Sequence, residues 1–124
     1  MKLEVGQFAR LKSGYICKII NINDFREPNM KYGIEANYLR DIMFIGDNDI
    51  AKASYNIVDI LEVGDILVDD TNRKLEILLI DNELMVRNAG LIYDNNYYLP
   101  IKSIAIKSAI THEQMEQMAY KVED

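Results

Sequence analysis

The side chains that could act as nucleophiles, acid–base groups or metal ligands are few in this chain of 124 residues. It contains one cysteine, Cys17, and one histidine, His112. Zinc sites are built mainly from several Cys and His ligands, so this inventory predicts no zinc site. Nucleophilic catalysis needs a histidine aligned with its partner, whereas His112 beside Glu113 at a predicted helix start is expected to be a solvated surface residue. Cys17 lies in a strand-like segment and is expected to fill the core.

Acidic residues cluster at three predicted turns: Asp47-Asn48-Asp49, Asp69-Asp70 and Asp81-Asn82-Glu83. Their oxygens are ligands that Mg²⁺ or Ca²⁺ would accept. Asp and Asn also stabilise turns by bonding their own backbone, and we predict this role for all three clusters. The sequence has neither a glycine-rich phosphate loop nor a dinucleotide-binding fingerprint. We therefore predict that the chain is not an enzyme and has no catalytic residues, no metal site and no cofactor.

The negative charge is concentrated in the second half of the chain. Residues 1–58 carry eight Lys/Arg and seven Asp/Glu, whereas residues 59–124 carry six and thirteen. Phosphates repel such an acidic domain unless it has a local basic patch. The second half is therefore expected to contact a protein with a basic surface, and nucleic acid is disfavoured as its partner.

Tyrosines flank a predicted hairpin in the acidic half, close to Asp94. Tyr combines a large contact area with a polar tip, which suits a binding surface, although one or two of these rings could fill the core instead. The candidate protein-binding residues are Asp69, Asp70, Tyr93, Asp94, Tyr97 and Tyr98.

A second candidate surface lies in the first half, where cations alternate with aromatic residues. Stacking on rings combined with phosphate contacts is how proteins hold single-stranded nucleic acid. The candidate cations of this alternative are Arg10, Lys12, Lys18, Arg26, Lys31 and Arg40, and the rings are Tyr15, Phe25, Tyr32 and Tyr38. Carboxylates in the same segment oppose this interpretation: Glu4, Asp24, Glu27 and Glu35.

An internal repeat organises the chain. Leu3-Glu4-Val5-Gly6 recurs as Leu61-Glu62-Val63-Gly64, at an offset of 58 residues. Ile50–Ser54 matches Ile104–Ser108 at an offset of 54, which predicts four extra residues in the central loop of the first copy. We therefore predict two similar units, residues 1–58 and 59–124.

Short segments rich in Ile, Val and Tyr are separated by turn residues, a pattern typical of a small barrel or sandwich. Asp81-Asn82 predicts a tight hairpin turn. Pro100 is expected at a sheet edge or strand end because it cannot donate to a ladder. Thr111 and Gln114 have capping-box spacing, which predicts the start of a short C-terminal helix. The fold is therefore predicted to be mostly β, with two tandem units or one duplicated sandwich.

The first copy resembles a known type of module. Val5–Arg10, Gly14 and Ile16–Ile20 resemble the opening hairpin of SH3-like barrels, including KOW-type modules. This resemblance implies two tandem SH3-like barrels followed by a short α-helix. Cys17 stands where the KOW pattern usually has a glycine that admits nucleic acid, which weakens an RNA-binding role. Asn56–Asp65 and Ile110–Val122 are similar to segments of small phage and prophage proteins of low-GC Gram-positive bacteria.

These observations together lead to an expected function. We expect a non-enzymatic interaction protein of a mobile element, whose acidic face binds a host protein, for example as an inhibitor of a host defence complex of the anti-CRISPR type. A nucleic-acid-binding first barrel and a virion structural or assembly component are the alternatives. The apolar runs are too short to cross a membrane, and a single cysteine favours a cytoplasmic location in the host. No oligomeric state is predicted.

Overall fold

The structure is a computed structural model that describes residues 3–36, 39–88 and 98–118. The chain forms two compact units, Met1–Ile60 and Leu61–Asp124. Each unit contains one five-stranded antiparallel sheet, and a short α-helix follows the second sheet. The predicted fold class, mostly β with two sheets and a short C-terminal helix, is confirmed. Within the described residues, no helix is both long enough and apolar enough to cross a membrane.

The first sheet has the strand order β4-β3-β2-β1-β5. Its strands are β1 Phe8–Leu11, β2 Ile16–Ile22, β3 Tyr32–Glu35, β4 Met43–Ile45 and β5 Ile50–Ser54. Successive residues of a strand point to opposite faces, so one face of each strand can supply the core. Ala9, Cys17, Ile19 and Ile34 are buried on that face, where Ala9 pairs with Cys17 and Ile19 with Ile34. Burial of these side chains supplies the main driving force for folding of the unit.

The second sheet has the strand order β10-β6-β7-β8-β9. Its strands are β6 Ile66–Asp69, β7 Lys74–Ile80, β8 Glu83–Asn88, β9 Leu99–Pro100 and β10 Ile106–Ile110, and the helix α1 spans His112–Met118. Leu67, Leu75, Ile77 and Val86 are buried on one face of the three central strands. Pro100 lies on β9, the edge strand, as its missing N–H requires.

The two sheets share one topology, since the first strand of each unit lies between the second and the last. They also begin with the same turn. Gly6 donates its N–H to Ile19 O at 2.8 Å, and Gly64 donates to Ile77 O at 3.0 Å. The two glycines have φ values of 96° and 94°. Only glycine adopts such angles without strain, and the third position of a type II turn requires them.

The predicted offset of 54 residues is wrong for the last strand of the repeat. Ala9 pairs with Ala53 and the equivalent Leu67 pairs with Ala109, so β5 and β10 correspond at an offset of 56. The 3₁₀ turn Asp47–Asp49 leads directly into β5, whereas residues 104–105 separate the equivalent turn Ile101–Ser103 from β10. A register shift interrupts the pairing of β5 with β1 and that of β10 with β6. Matching residues by sequence alone therefore does not give the structural offset of these strands.

The connections between strands explain where the first copy is longer. Residues 23–31 join β2 to β3, whereas Asp81-Asn82 alone joins β7 to β8. The predicted tight turn at Asp81-Asn82 is confirmed, with φ values of 51° and 63° that fit a type I′ hairpin.

The capping box of the C-terminal helix is also confirmed. Thr111 Oγ1 accepts the N–H of Gln114 at 3.2 Å, and Gln114 Oε1 accepts the N–H of Thr111 at 3.0 Å. The buried position of Thr111 shields both hydrogen bonds from water. The short helix therefore begins at a fixed point directly after β10.

Cys17 should be chemically inert in the folded protein. Its thiol is buried and donates to Ala9 O at 3.7 Å, and burial raises the pKa of Cys17 to about 12. Because the thiolate is the reactive form, we expect alkylation by iodoacetamide at pH 8 to be more than about 100-fold slower in native buffer than in denaturant. Mass spectrometry of timed samples measures both rates, and similar rates would contradict a buried thiol.

Candidate functional site

The predicted protein-binding residues have different environments in the structure. Tyr93, Asp94 and Tyr97 lie outside the described residues. Asp70 is exposed, and Tyr98 is half-buried directly before β9. Asp69 is only 2% exposed, so its carboxylate does not face a partner's surface.

Asp69 organises the turn between β6 and β7. Its Oδ1 accepts the N–H and the hydroxyl of Thr71, at 3.0 and 2.7 Å, and the N–H of Arg73 at 2.8 Å. Its Oδ2 accepts the Arg73 guanidinium at 2.8 Å. Burial on its own would raise the pKa of Asp69, but the hydrogen bonds from Thr71 and Arg73 outweigh it and lower the pKa to about 2. The turn role predicted for this acidic cluster is confirmed.

The Asp47-Asn48-Asp49 cluster also serves a turn. Asp49 Oδ2 accepts the N–H of Gly46 at 3.1 Å, and Asp47 Oδ1 accepts the hydroxyl of the buried Tyr32 at 2.6 Å. The groove beside this turn is lined by Glu27, Pro28, Asn29, Gly46, Asp47, Asn48 and Asp49. Because these two carboxylates hold local structure, the turn role predicted for this cluster is confirmed as well.

The second sheet has two ends of different charge. The end that we call the hairpin end contains the Asp81-Asn82 hairpin. The turn of residues 62–65 lies on the same side of the sheet, beside the middle of β7, since Gly64 bonds to Ile77. The opposite end contains the turn between β6 and β7. Tyr98 also lies toward this opposite end, because the next residue, Leu99, pairs with Val86 near the end of β8. Asp70 and Tyr98 therefore share one end of the sheet.

Of the five lysines and arginines that the structure describes in the second unit, four lie toward the opposite end, in the half of the sheet that contains the β6–β7 turn. They are the lysines and arginines described on that turn and on β7, β8 and β10: Arg73, Lys74, Arg87 and Lys107. The fifth, the exposed Lys102, follows Pro100, which pairs with Met85 in the hairpin half of β8. Arg73 is paired with Asp69, and Lys107 Nζ donates to Asn72 at 2.8 Å. The surface predicted around Asp70 and Tyr98 is therefore electrically mixed.

The hairpin end is acidic and partly apolar. Asp81 and Glu83 are exposed there, and Glu62 and Glu113 are half-buried. Val63 and Leu79 are exposed apolar side chains at this end, at 51% and 54% exposure. Ile110, at 39% exposure, lies in the same cross-strand row as Arg87, through Ile66 and Glu76. Sequence reasoning treated Asp81 and Glu83 only as turn residues and did not connect them with Glu62 and Glu113. Strand register, which sequence alone did not reveal, places the turn of Glu62 beside Ile77, four positions before Asp81.

His112 is held between two carboxylates at the same end. Its Nε2 lies 2.9 Å from Glu62 Oε1 and 2.9 Å from Glu113 Oε1. The buried carboxylate of Asp65 accepts the N–H of Glu62 at 2.7 Å and the N–H of His112 at 2.9 Å. His112 lies at the surface as expected, with its side chain 40% exposed, but it is also paired with two carboxylates, which the sequence analysis did not predict. No local pattern predicted the contact between Glu62 and His112, because the two residues are 50 positions apart in the chain.

The cations of the nucleic-acid alternative do not form one surface patch. Arg10 is fully buried and donates from Nη1 to Ile60 O at 3.0 Å, so it holds the 3₁₀ turn Ile57–Ile60 rather than facing solvent. Lys31 forms an ion pair with Asp24 at 3.2 Å. The other four cations are exposed: Lys12, Lys18, Arg26 and Arg40.

The aromatic partners of these cations are also unevenly placed. Lys18 lies 5.8 Å from the ring centre of Phe8, and Arg26 lies 4.0 Å from that of Phe44. Phe25 is fully exposed, whereas Tyr32 is buried and cannot stack on a base. Tyr15 is half-buried, and Tyr38 lies outside the described residues. The exposed part of this alternative is centred on Phe25 and Arg26.

Comparison with protein-family models, with curated proteins and with solved structures found no match for this sequence.

Replacing Asp69 should produce a stability loss that depends on pH. The pKa of this carboxyl is about 2 in the folded protein and about 3.9 in an unfolded chain. Its stabilising effect is therefore complete above about pH 4 and is lost as the pH falls toward 2. We expect Asp69→Asn to lower the melting temperature at pH 7 by about 5 °C or more.

The matching measurement is urea unfolding of wild type and Asp69→Asn from pH 7 down to pH 2.5. The gap between the two midpoints should narrow below pH 4. Asp70→Asn is the control, because Asp70 is the exposed neighbour in the same turn. A gap that stays constant across the pH range would show that Asp69 acts without its charge.

Proposed function

We propose that this chain is a non-enzymatic protein-binding module, whose second unit binds a partner with a basic surface through the hairpin end of its sheet. One observation carries the proposal. Asp81 and Glu83 are exposed beside Leu79 at this end, whereas the cations of β7, β8, β10 and the β6–β7 turn lie in the opposite half.

This combination of side chains has the properties of a binding surface. Carboxylates on one side of a domain steer a basic partner and increase the association rate. Exposed apolar side chains such as Leu79 and Val63 add contact area that is desolvated on binding, which slows dissociation. The position of the surface differs from that inferred from the tyrosines, but the chemistry of the proposed partner is the same.

The proposed fold and partner can be stated more narrowly. A sheet whose first strand lies between the second and the last supports an SH3-like barrel for each unit. On the resemblance to phage proteins, we propose a cytoplasmic host protein as the partner, one whose own ligand is nucleic acid. A host defence complex, inhibited in the manner of an anti-CRISPR protein, has such a basic surface.

The alternative function is single-strand binding by the first unit. Its support is the fully exposed ring of Phe25 next to Arg26, which itself stacks on Phe44. A ring and cations arranged in this way offer stacking and phosphate contacts. The burial of Arg10 and the pairing of Lys31 leave this surface with fewer cations than the sequence suggested.

The test compares two variants that change net charge equally. The hairpin-end variant is Asp81→Asn with Glu83→Lys, in which Asn keeps the positive φ of the turn. Its control is Asp70→Asn, at the opposite end of the same sheet, with Asp41→Lys in the first unit, both at exposed positions. Each immobilised protein is incubated with host lysate, and the captured proteins are identified by mass spectrometry.

Partners of wild type should be lost by the hairpin-end variant and retained by the control. With a purified partner, the association rate should fall roughly tenfold at low salt, and Leu79→Ala should act mainly on dissociation. Equal capture by wild type and the hairpin-end variant would refute the proposed surface. If wild type binds a labelled single-stranded oligonucleotide and Phe25→Ala does not, the result would favour the alternative function, single-strand binding by the first unit.

A further inference from the structure

We infer that Glu62, His112 and Glu113 form a binding site for a divalent transition-metal ion, with Zn²⁺ as the natural probe. The inference is independent of the proposed protein-binding function. One imidazole nitrogen and two carboxylate oxygens are a donor set that Zn²⁺ accepts in proteins, with water completing the coordination. The three side chains come from two segments, the turn of residues 62–65 and the start of α1.

The distances fit a common ion. His112 Nε2 lies 2.9 Å from one oxygen of each glutamate, and the three ligand atoms lie within 4.8 Å of one another. Metal–ligand bonds of about 2.0–2.1 Å place neighbouring ligands about 2.9–3.4 Å apart in octahedral or tetrahedral geometry. An ion would therefore need only small side-chain rotations to reach all three atoms.

The backbone that carries these ligands is fixed in advance. The buried Asp65 carboxylate bonds the N–H of Glu62 with one oxygen and the N–H of His112 with the other. The imidazole lies over Gly64, where an added Cβ would stand 3.4 Å from His112 Cβ. A site whose ligand-bearing residues are held in place loses less conformational entropy when it binds an ion.

The first unit provides an internal comparison. Its equivalent turn carries Glu4, and Tyr55 packs over Gly6 and donates its hydroxyl to Glu4 Oε2 at 3.0 Å. A hydroxyl donor satisfies that carboxylate without an ion. In the second unit, the ring over the glycine is an imidazole, and Glu113 adds a second carboxylate. The same turn, with a ring packed over its glycine, therefore supports a hydrogen bond in the first unit and the proposed metal ligands in the second unit.

The donor set also selects the type of ion. Imidazole suits Zn²⁺, Ni²⁺ and Co²⁺, whereas Mg²⁺ and Ca²⁺ prefer oxygen ligands alone. An ion bound at Nε2 takes the lone pair of that nitrogen, so Nδ1 then carries the proton of the neutral ring.

Calorimetric titration of the full chain with ZnCl₂ tests the inference, with MgCl₂ as the comparison ion. We expect one Zn²⁺ per chain and a melting temperature raised by at least about 5 °C at a hundredfold excess over Kd. Co²⁺ should produce a visible absorption band that reports nitrogen and oxygen ligands. His112→Gln should abolish Zn²⁺ binding, and Glu113→Gln should weaken it roughly tenfold or more.

Two variants serve as matched controls. Glu116→Gln removes an exposed carboxylate from the same helix, and Glu4→Gln removes the equivalent carboxylate of the first unit. Both should bind Zn²⁺ like wild type, and circular dichroism without metal confirms that each variant is folded. No binding by wild type at about 1 mM Zn²⁺ would overturn the site and leave only an ion pair. Binding that survives in folded His112→Gln would also overturn it.

Discussion

A reverse turn that ends in a left-handed glycine sets the register of each sheet. The glycine N–H bonds to the second strand at Ile19 O or Ile77 O, and the same strand residue donates its own N–H back to the residue after the glycine. This pair of bonds aligns the first strand with the second, and alternation then directs one set of side chains into the core. The recurrence of the turn explains why two units of different sequence share one strand order.

The fourth residue of that turn is where the two units diverge. In the first unit, Gln7 Oε1 accepts the N–H of Glu4 at 2.9 Å, which closes the turn. In the second unit, Asp65 closes the turn with one oxygen and accepts the N–H of His112 with the other. A fully buried carboxylate must be satisfied by such bonds, because burial without partners is costly. A single substitution within the repeat thus connects the start of the helix to the turn.

Local signals predicted local structure well. The left-handed turn at Asp81-Asn82, the capping box at Thr111 and the edge position of Pro100 all follow from residue chemistry within a few positions. Long-range facts were not accessible in that way. Arg10 alternates like a surface cation, yet it is buried because the 3₁₀ turn Ile57–Ile60 covers it and accepts its hydrogen bond. The Glu62–His112 contact and the offset of the last strand depend equally on pairing between distant segments.

The protein-binding surface and the metal site that we propose both lie in the second unit, but they use different carboxylates. Glu62 and Glu113 are the carboxylates that an ion would neutralise, whereas Asp81 and Glu83 lie on the neighbouring hairpin and are not among the ligands. Metal binding would therefore reduce the negative charge at the hairpin end but leave its most exposed carboxylates unchanged. Because attraction between exposed charges weakens with ionic strength while direct metal coordination is far less screened, salt should separate the two effects. On the two proposals, the partner and the ion would therefore be bound by different side chains of the second unit.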